Sequence, residues 1–241
     1  MQCKHPGPAL VATLQEKIAQ LEGGRQQCDD RPISSGCPAL DRLLPGGGFR
    51  RGTLVEWLSA VEGGGTATLA MLAAREACQG GGTLIVVDRR REFYPPAAVR
   101  LGISLERLLV VQVASAADQN WALDQALRCP AVAAVLAWPE ELDGRTFRRL
   151  QLAAEKGGSL GLLLRSEAAR REPTWAEVRL RVVPLPGRHH DSNRRRLKIE
   201  VLRSPGKINH GSLEVEFDDE TRDVHLVPPG TAAGSRRRAG A

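Results

Sequence analysis

ISSGCPALDRLLPGGGFRRGTLVEWLSAVEGGGTATLAMLAAREA occupies residues 33–77 and carries three signals in succession. A turn-rich approach passes glycines 46–48 and enters a short apolar strand, predicted over 53–58. A glycine-rich loop follows at 62–65, and an alanine/leucine helix starts near Thr66. Strand, glycine loop and helix in that order form the layout of a phosphate-binding loop, in which backbone N–H groups and a helix N-terminus face an anion. Gly63, Gly64, Gly65 and Thr66 are the residues that would line such a site. The working pattern, G-x-x-x-x-G-K-[ST], needs a lysine for the outer phosphates and a hydroxyl for magnesium. Here Gly65 is followed by Thr66 and Ala67, and the first glycine position is Ala60, so both functional groups are missing. The other reading is that the glycines only make a tight strand-to-helix turn, and the missing lysine favours it. No cofactor is expected on that reading, with ATP binding as the alternative.

Upstream, Leu10, Leu14, Ile18 and Leu21 recur at helical steps, so residues 1–24 are read as an amphipathic N-terminal helix. Its apolar stripe must be buried on its own domain or on another molecule. Residues 25–32 form a polar linker, and residues 33–227 the core domain. Downstream of the glycine-loop helix, 83–87 is a β-branched run of the kind found in buried parallel strands. Further apolar strands are predicted over 108–113, 131–138 and 160–164. Helices are predicted between them, with Ser115 and Asp118 as a capping pair and Asp143 as a second cap. Strands alternating with helices at this spacing imply an α/β fold with a doubly wound parallel sheet. From about Thr174 the pattern changes to half-exposed alternation over 178–183, 197–202, 213–217 and 224–227. These are read as antiparallel strands, an extension covering 178–227. Residues 228–241 are low in complexity, basic and expected to be disordered.

The chain has 241 residues, enough to bury a sizeable core, and a net charge of +6. Its arginines come in runs, which suits anionic partners, although a solvated surface is the better explanation of any single run. The five cysteines are scattered without a C-x-x-C pair, which argues against a disulfide framework or structural zinc. His189, His190 and Asp191 sit together in a Pro/Gly/Arg-rich connection, where loop polarity explains them better than a metal does. No apolar run approaches membrane-spanning length, and MQCKHPGPAL lacks the apolar region of a signal peptide. A cytoplasmic protein with no membrane partner is expected.

The order of elements, over roughly residues 9–227, resembles the RecA ATPase core. ISSGCPALDRLLPGGGFRRGTLVEW resembles its approach to the phosphate loop. GGTLIVVDRRREFYPPAAVRLGISLERLLVVQVASAADQNWALDQAL resembles the strand–helix–strand–helix unit that follows. TWAEVRLRVVPL and RRRLKIEVLRSPGKINHGSLEVEF resemble its closing antiparallel strands. The closer resemblance is to the ImuA family, RecA-like proteins of bacterial damage-induced mutagenesis cassettes. The phrases LPGGGFRRGTLVE, SAADQNWALDQALR, AVLAW, FRRLQLAAEKGGSLGLLLR and DDETRDVHLVPP carry it. The resemblance implies a RecA-like P-loop NTPase fold, with a mostly parallel sheet, helices on both faces and antiparallel strands at the C-terminal side.

The resemblance also implies where catalysis would sit. The position of the catalytic glutamate falls on Arg90, and that of the magnesium aspartate on Trp138. Four requirements therefore fail together, at Thr66, Ala67, Arg90 and Trp138, and no hydrolysis is expected. The loops that hold DNA in RecA correspond to the short connections 139–144 and 166–173, the second carrying Arg170 and Arg171. Arg89, Arg90 and Arg91, together with Arg194, Arg195 and Arg196, are candidates for weak phosphate contacts. The interleaved aromatics of a stacking platform are not evident in the sequence. The family implies an accessory role in SOS-induced translesion synthesis, beside a catalytically inactive Y-family polymerase relative and a damage-inducible C-family polymerase. DNA would be met indirectly or weakly, at the nucleoid when the protein is recruited to damage. Leu10, Leu14, Ile18 and Leu21, and the tail residues Arg236, Arg237 and Arg238, are candidate contacts to those partners, to RecA or to a second copy. Two other readings stay open, a nucleotide- and DNA-binding ATPase and a SulA-type inhibitor of cell division.

Overall fold

The computed structural model describes residues 31–187, 194–206 and 211–227. The expected N-terminal helix, most of the linker, the residues 189–191 and the basic tail lie outside the described residues.

Apolar, β-branched runs build a sheet of nine strands among the described residues: β1 Leu54–Ser59, β2 Thr83–Asp88, β3 Leu108–Gln112, β4 Val132–Ala137, β5 Leu160–Ser166, β6 Val178–Leu185, β7 Arg194–Arg203, β8 Ser212–Asp218 and β9 Val224–Leu226. Their spatial order is β3-β2-β4-β5-β1-β6-β7-β8-β9. The pairs from β3 through β1 to β6 are parallel, and those from β6 to β9 antiparallel. The helices are α1 Pro38–Asp41, α2 Thr66–Gln79, α3 Pro95–Arg100, α4 Ala116–Arg128 and α5 Gly144–Gly157. The expected α/β fold, mostly parallel with antiparallel strands at the C-terminal side, is what forms.

One expectation holds on one edge only. The segment 178–183, read as a half-exposed antiparallel strand, does pair antiparallel with β7, but on its other edge β6 runs parallel to β1. Parallel neighbours need a crossover rather than a hairpin, and residues 167–177 supply it. The alternation that suggested exposure comes from Arg179 and Arg181. Arg179 is in fact buried, because a carboxylate inside the sheet neutralises it.

Two apolar layers flank the sheet. On one face α2 buries Leu69, Ala70, Leu72, Ala73 and Ala77 with Val55 and Trp57 of β1, and this core continues beneath β7 and β8 through Ile199, Val215 and Phe217. On the other face α4 and α5 bury Leu123, Leu127, Phe147 and Leu150 against Leu54, Val135 and Leu163. Each fully buried Val, Leu, Ile or Phe side chain of these layers contributes about 1.5–3 kcal/mol. Both predicted caps form. Ser115 Oγ accepts the Asp118 N–H at 3.1 Å, and Asp143 Oδ1 accepts those of Arg145 and Thr146 at 2.9 and 3.0 Å.

Candidate functional site

The parallel strands β1, β2 and β4 end on the same side of the sheet, where open α/β folds place their sites. From β1 the chain enters the glycine loop. Gly65 takes φ +85°, and a Cβ on Gly64 would lie 2.8 Å from the Val61 carbonyl oxygen, so the turn needs glycine at both positions. Part of the loop is closed by its own hydrogen bonds. The Gly64 N–H donates to Val61 O at 3.0 Å, Ser59 Oγ donates to the same oxygen at 2.6 Å, and Thr66 Oγ1 donates to Ser59 Oγ at 3.1 Å. The Thr66 hydroxyl is buried and turned back towards β1. Leu197 of β7 packs against Gly65, and Pro184 of β6 against Gly64.

Beside this loop, the end of β2 is organised by Asp88. Its carboxylate is buried and accepts the N–H groups of Arg91 at 2.8 Å, Glu92 at 3.3 Å and Phe93 at 2.9 Å. That clamp forces Arg91 to φ +59° and sets the direction of Arg90. The Arg90 guanidinium donates through Nε at 3.1 Å and Nη2 at 2.7 Å to Glu140 Oε1, and its Nη1 lies 3.6 Å from Glu62 of the glycine loop. Arg89 holds the other oxygen of Glu140 at 2.5 Å. The Arg90 hydrogen bond, followed by the one from Arg89, holds the Glu140 carboxyl below the usual range, and the same contact raises Arg90. Glu62, Arg90, Glu140 and Arg89 thus form a bridge across the mouth of the loop. Solvent screens these pairs, so they matter for position more than for stability. Trp138, at the end of β4, packs at a tilt against Phe93 with ring centroids 6.4 Å apart.

The base of this bridge is a group the sequence did not single out. Arg165, at the end of β5 and with its side chain 1% exposed, donates to the backbone oxygens of Pro139 at 3.4 Å and Glu140 at 3.1 Å. It also donates to Glu172 at 2.6 Å and to Glu56 Oε1 at 3.0 Å. The side chain of Glu56 is 0% exposed, and its other oxygen accepts from Arg179 at 2.6 Å and from the Thr174 hydroxyl at 2.9 Å. A buried carboxylate with three donors is well compensated. The signal was present in the sequence as a lone acid inside LVEWLS and a lone arginine inside LGLLLRS. A charge in a strand buried on both faces requires a partner.

The remaining arginine candidates lie elsewhere. Arg194 pairs with Asp218 at 3.1 Å and Arg196 with Glu214 at 2.7 Å. Arg195 pairs with Asp219 at 2.6 Å and stacks over Phe217 at 5.0 Å. Arg170 lies 3.4 Å from Glu167, and Arg171 is exposed. The structure therefore brings Arg89 and Arg90 to the glycine loop and engages Arg194, Arg195 and Arg196 with carboxylates. No helix among the described residues is long and apolar enough to cross a membrane.

Residues 14–136 match the family model of the RecA N-terminal domain. Protein ImuA of Caulobacter vibrioides is 33% identical over 137 residues, covering 55% of this chain and 56% of its own. Protein RecA of Rhodopirellula baltica is 32% identical over 137 residues, covering 54% of this chain and 36% of its own. Protein RecA of Chlorobaculum parvum is 42% identical over 82 residues, covering 34% and 23%. The chain thus spans 56% of the length of that ImuA and about a third or less of these RecA proteins.

Proposed function

The chain belongs to the RecA N-terminal domain family, and on that premise we propose that it is a non-hydrolysing accessory and scaffold protein of SOS-induced translesion DNA synthesis, acting by binding error-prone polymerases. The observation that carries this reading is Arg90. A guanidinium stands where the resemblance places the catalytic glutamate, and it is held between Glu140 and the loop's own Glu62. Water activation needs a carboxylate there, and phosphate charge needs a lysine that the loop does not have. Glu62 adds a negative group at the mouth of the loop, which disfavours an anion further. The partners on this reading are an inactive Y-family polymerase relative and a damage-inducible C-family polymerase, with RecA or a second copy as further candidates. β3, an edge of the sheet among the described residues and with Leu109 half open to water, supports a binding role, because strand edges accept partner segments.

ATP turnover by the purified chain, with and without single-stranded DNA, tests the absence of hydrolysis. The expected rate equals that of a Gly65→Val variant, and turnover well above that background overturns the reading. Partner binding is tested by co-purification from DNA-damaged cells. Both polymerases should accompany the full chain, and at least one should be missing from versions lacking residues 1–24 or 228–241.

A further inference from the structure

The outer side of α5 carries residues that the glycine loop does not use. Arg145, Arg148, Arg149 and Leu152 follow one another at the three- and four-residue steps of a single helix stripe. With Arg128 of α4 and Trp175 of the crossover they line an open groove of about 730 Å³. Its positive charge exceeds what its own acids pair. Asp124 is shared between Arg128 at 2.8 Å and Arg149 at 3.7 Å, and Asp143 uses both oxygens on the cap of α5. The Arg145 guanidinium has no ion-pair partner among the described residues. Beside these charges the groove is apolar. Leu152 is 45% exposed and Trp175 44%, and the Arg148 guanidinium lies over the indole at 5.0 Å.

A run of arginines alone is usually a solvated face, and guanidinium forks pair with phosphates and carboxylates alike. The apolar part decides between the two. A nucleic-acid strand needs a row of flat faces for successive bases, and this groove offers a single indole already covered in part by Arg148. A peptide brings carboxylates and an apolar side chain in one short segment, and the groove has a place for each. The spacing agrees. Arg145 and Arg149 are four residues apart, about 6 Å along the helix axis. Carboxylates at alternate positions of an extended segment lie about 6.6 Å apart. We propose that this groove docks an acidic linear segment of another protein, its carboxylates on Arg145 and Arg149 and an apolar side chain against Leu152 and Trp175. Tryptophan and arginine are the residue types that dominate binding at interfaces, and here the guanidinium of Arg148 holds the indole in place beforehand. The groove lies on the sheet face opposite α2, so docking there does not depend on the glycine loop. That the partner is a protein rests on the accessory role proposed above, whereas a synthetic peptide measures the groove apart from any polymerase.

The test is fluorescence anisotropy of the full chain with a labelled peptide in which two glutamates, separated by a serine, precede a phenylalanine. Saturable binding that weakens with added salt is expected. Replacing both glutamates by glutamine, or the phenylalanine by alanine, should weaken it about tenfold or more. Arg145→Glu should weaken binding of the acidic peptide about tenfold or more, and Arg145→Gln by less. Arg145→Glu should also gain affinity for a peptide with lysines in place of the glutamates, which a merely misfolded variant would not do. Trp175→Ala should weaken the acidic peptide about tenfold. Arg100→Gln, exposed on α3 at the other face of the sheet, should bind as the parent does. Thermal melts of every variant establish that the fold is retained. Absence of saturable binding by the parent overturns the proposal, and so does parent-like binding by folded Arg145→Glu and Trp175→Ala. Displacement of the peptide by oligothymidylate at lower concentration than by unlabelled peptide overturns it too, and identifies a nucleic acid as the occupant. Peptide binding without co-purification of either polymerase keeps the groove and removes the polymerase reading, and the reverse result removes the groove alone.

Discussion

Glu56 has no exposed surface, and its two arginine partners are 1% and 8% exposed at their side chains. Removing one member of such a set costs far more than the set contributes as a whole, because the remaining charges stay buried. Glu56→Ala is therefore expected to lower the unfolding free energy by about 3–5 kcal/mol, read from the urea midpoint at constant slope. Glu56→Gln keeps an acceptor for Thr174 and should cost less. The residue was visible in the sequence only as an interruption. Its partners lie 109 and 123 positions away, and a single sequence does not reveal contacts at that separation. Arg90 was easier to place, since its register follows from the run LIVVDRRREF. That it would be bridged to Glu62 and Glu140 depends on the Asp88 clamp, which no periodicity announces.

At the scale of elements, Gly157, the last residue of α5, lets that helix come close against the backbone at the end of α4. A Cβ on Gly157 would lie 2.1 Å from the Leu127 carbonyl oxygen and 2.7 Å from the Arg128 carbonyl carbon. Two effects compete in Gly157→Ala. Alanine gains about 1 kcal/mol in helix propensity, while forcing a methyl against backbone costs about 1–3 kcal/mol or more. Backbone cannot rotate away as a side chain can, so the clash wins. Chemical denaturation should show a net loss of about 1–2 kcal/mol. The caps at Ser115 and Asp143 and the glycine stop at 157–158 were legible because they are local. The direction of β6 was not, since charged alternation looks the same whether the charges face water or a buried carboxylate.

Across the whole molecule, several carboxyls are held below their ordinary values of 4.5 for Glu and 3.8 for Asp. Arg90 does this at Glu140, Lys198 at Glu200, the Thr221 N–H at Asp218 and the Thr146 hydroxyl at Asp143. A folded value below the unfolded one gives stability that is present above the unfolded value and lost as pH falls through the folded one. The urea midpoint should stay nearly level from about pH 8 to about pH 5 and fall below about pH 4. A midpoint that instead rises on acidification contradicts this assignment. The strand order has a consequence in time as well. β1 emerges early from the ribosome, but its neighbours β5 and β6 begin only at residues 160 and 178. Parallel pairing over such separations is slow to close, so β1 waits as an apolar segment, LVEWLS, with both edges unpaired. During that wait Glu56 is in water and charged, a gatekeeper against premature strand pairing with other chains. The carboxylate that ends up in the dry centre of the sheet is thus an unpaired charge on the nascent strand until Arg165 and Arg179 have been made.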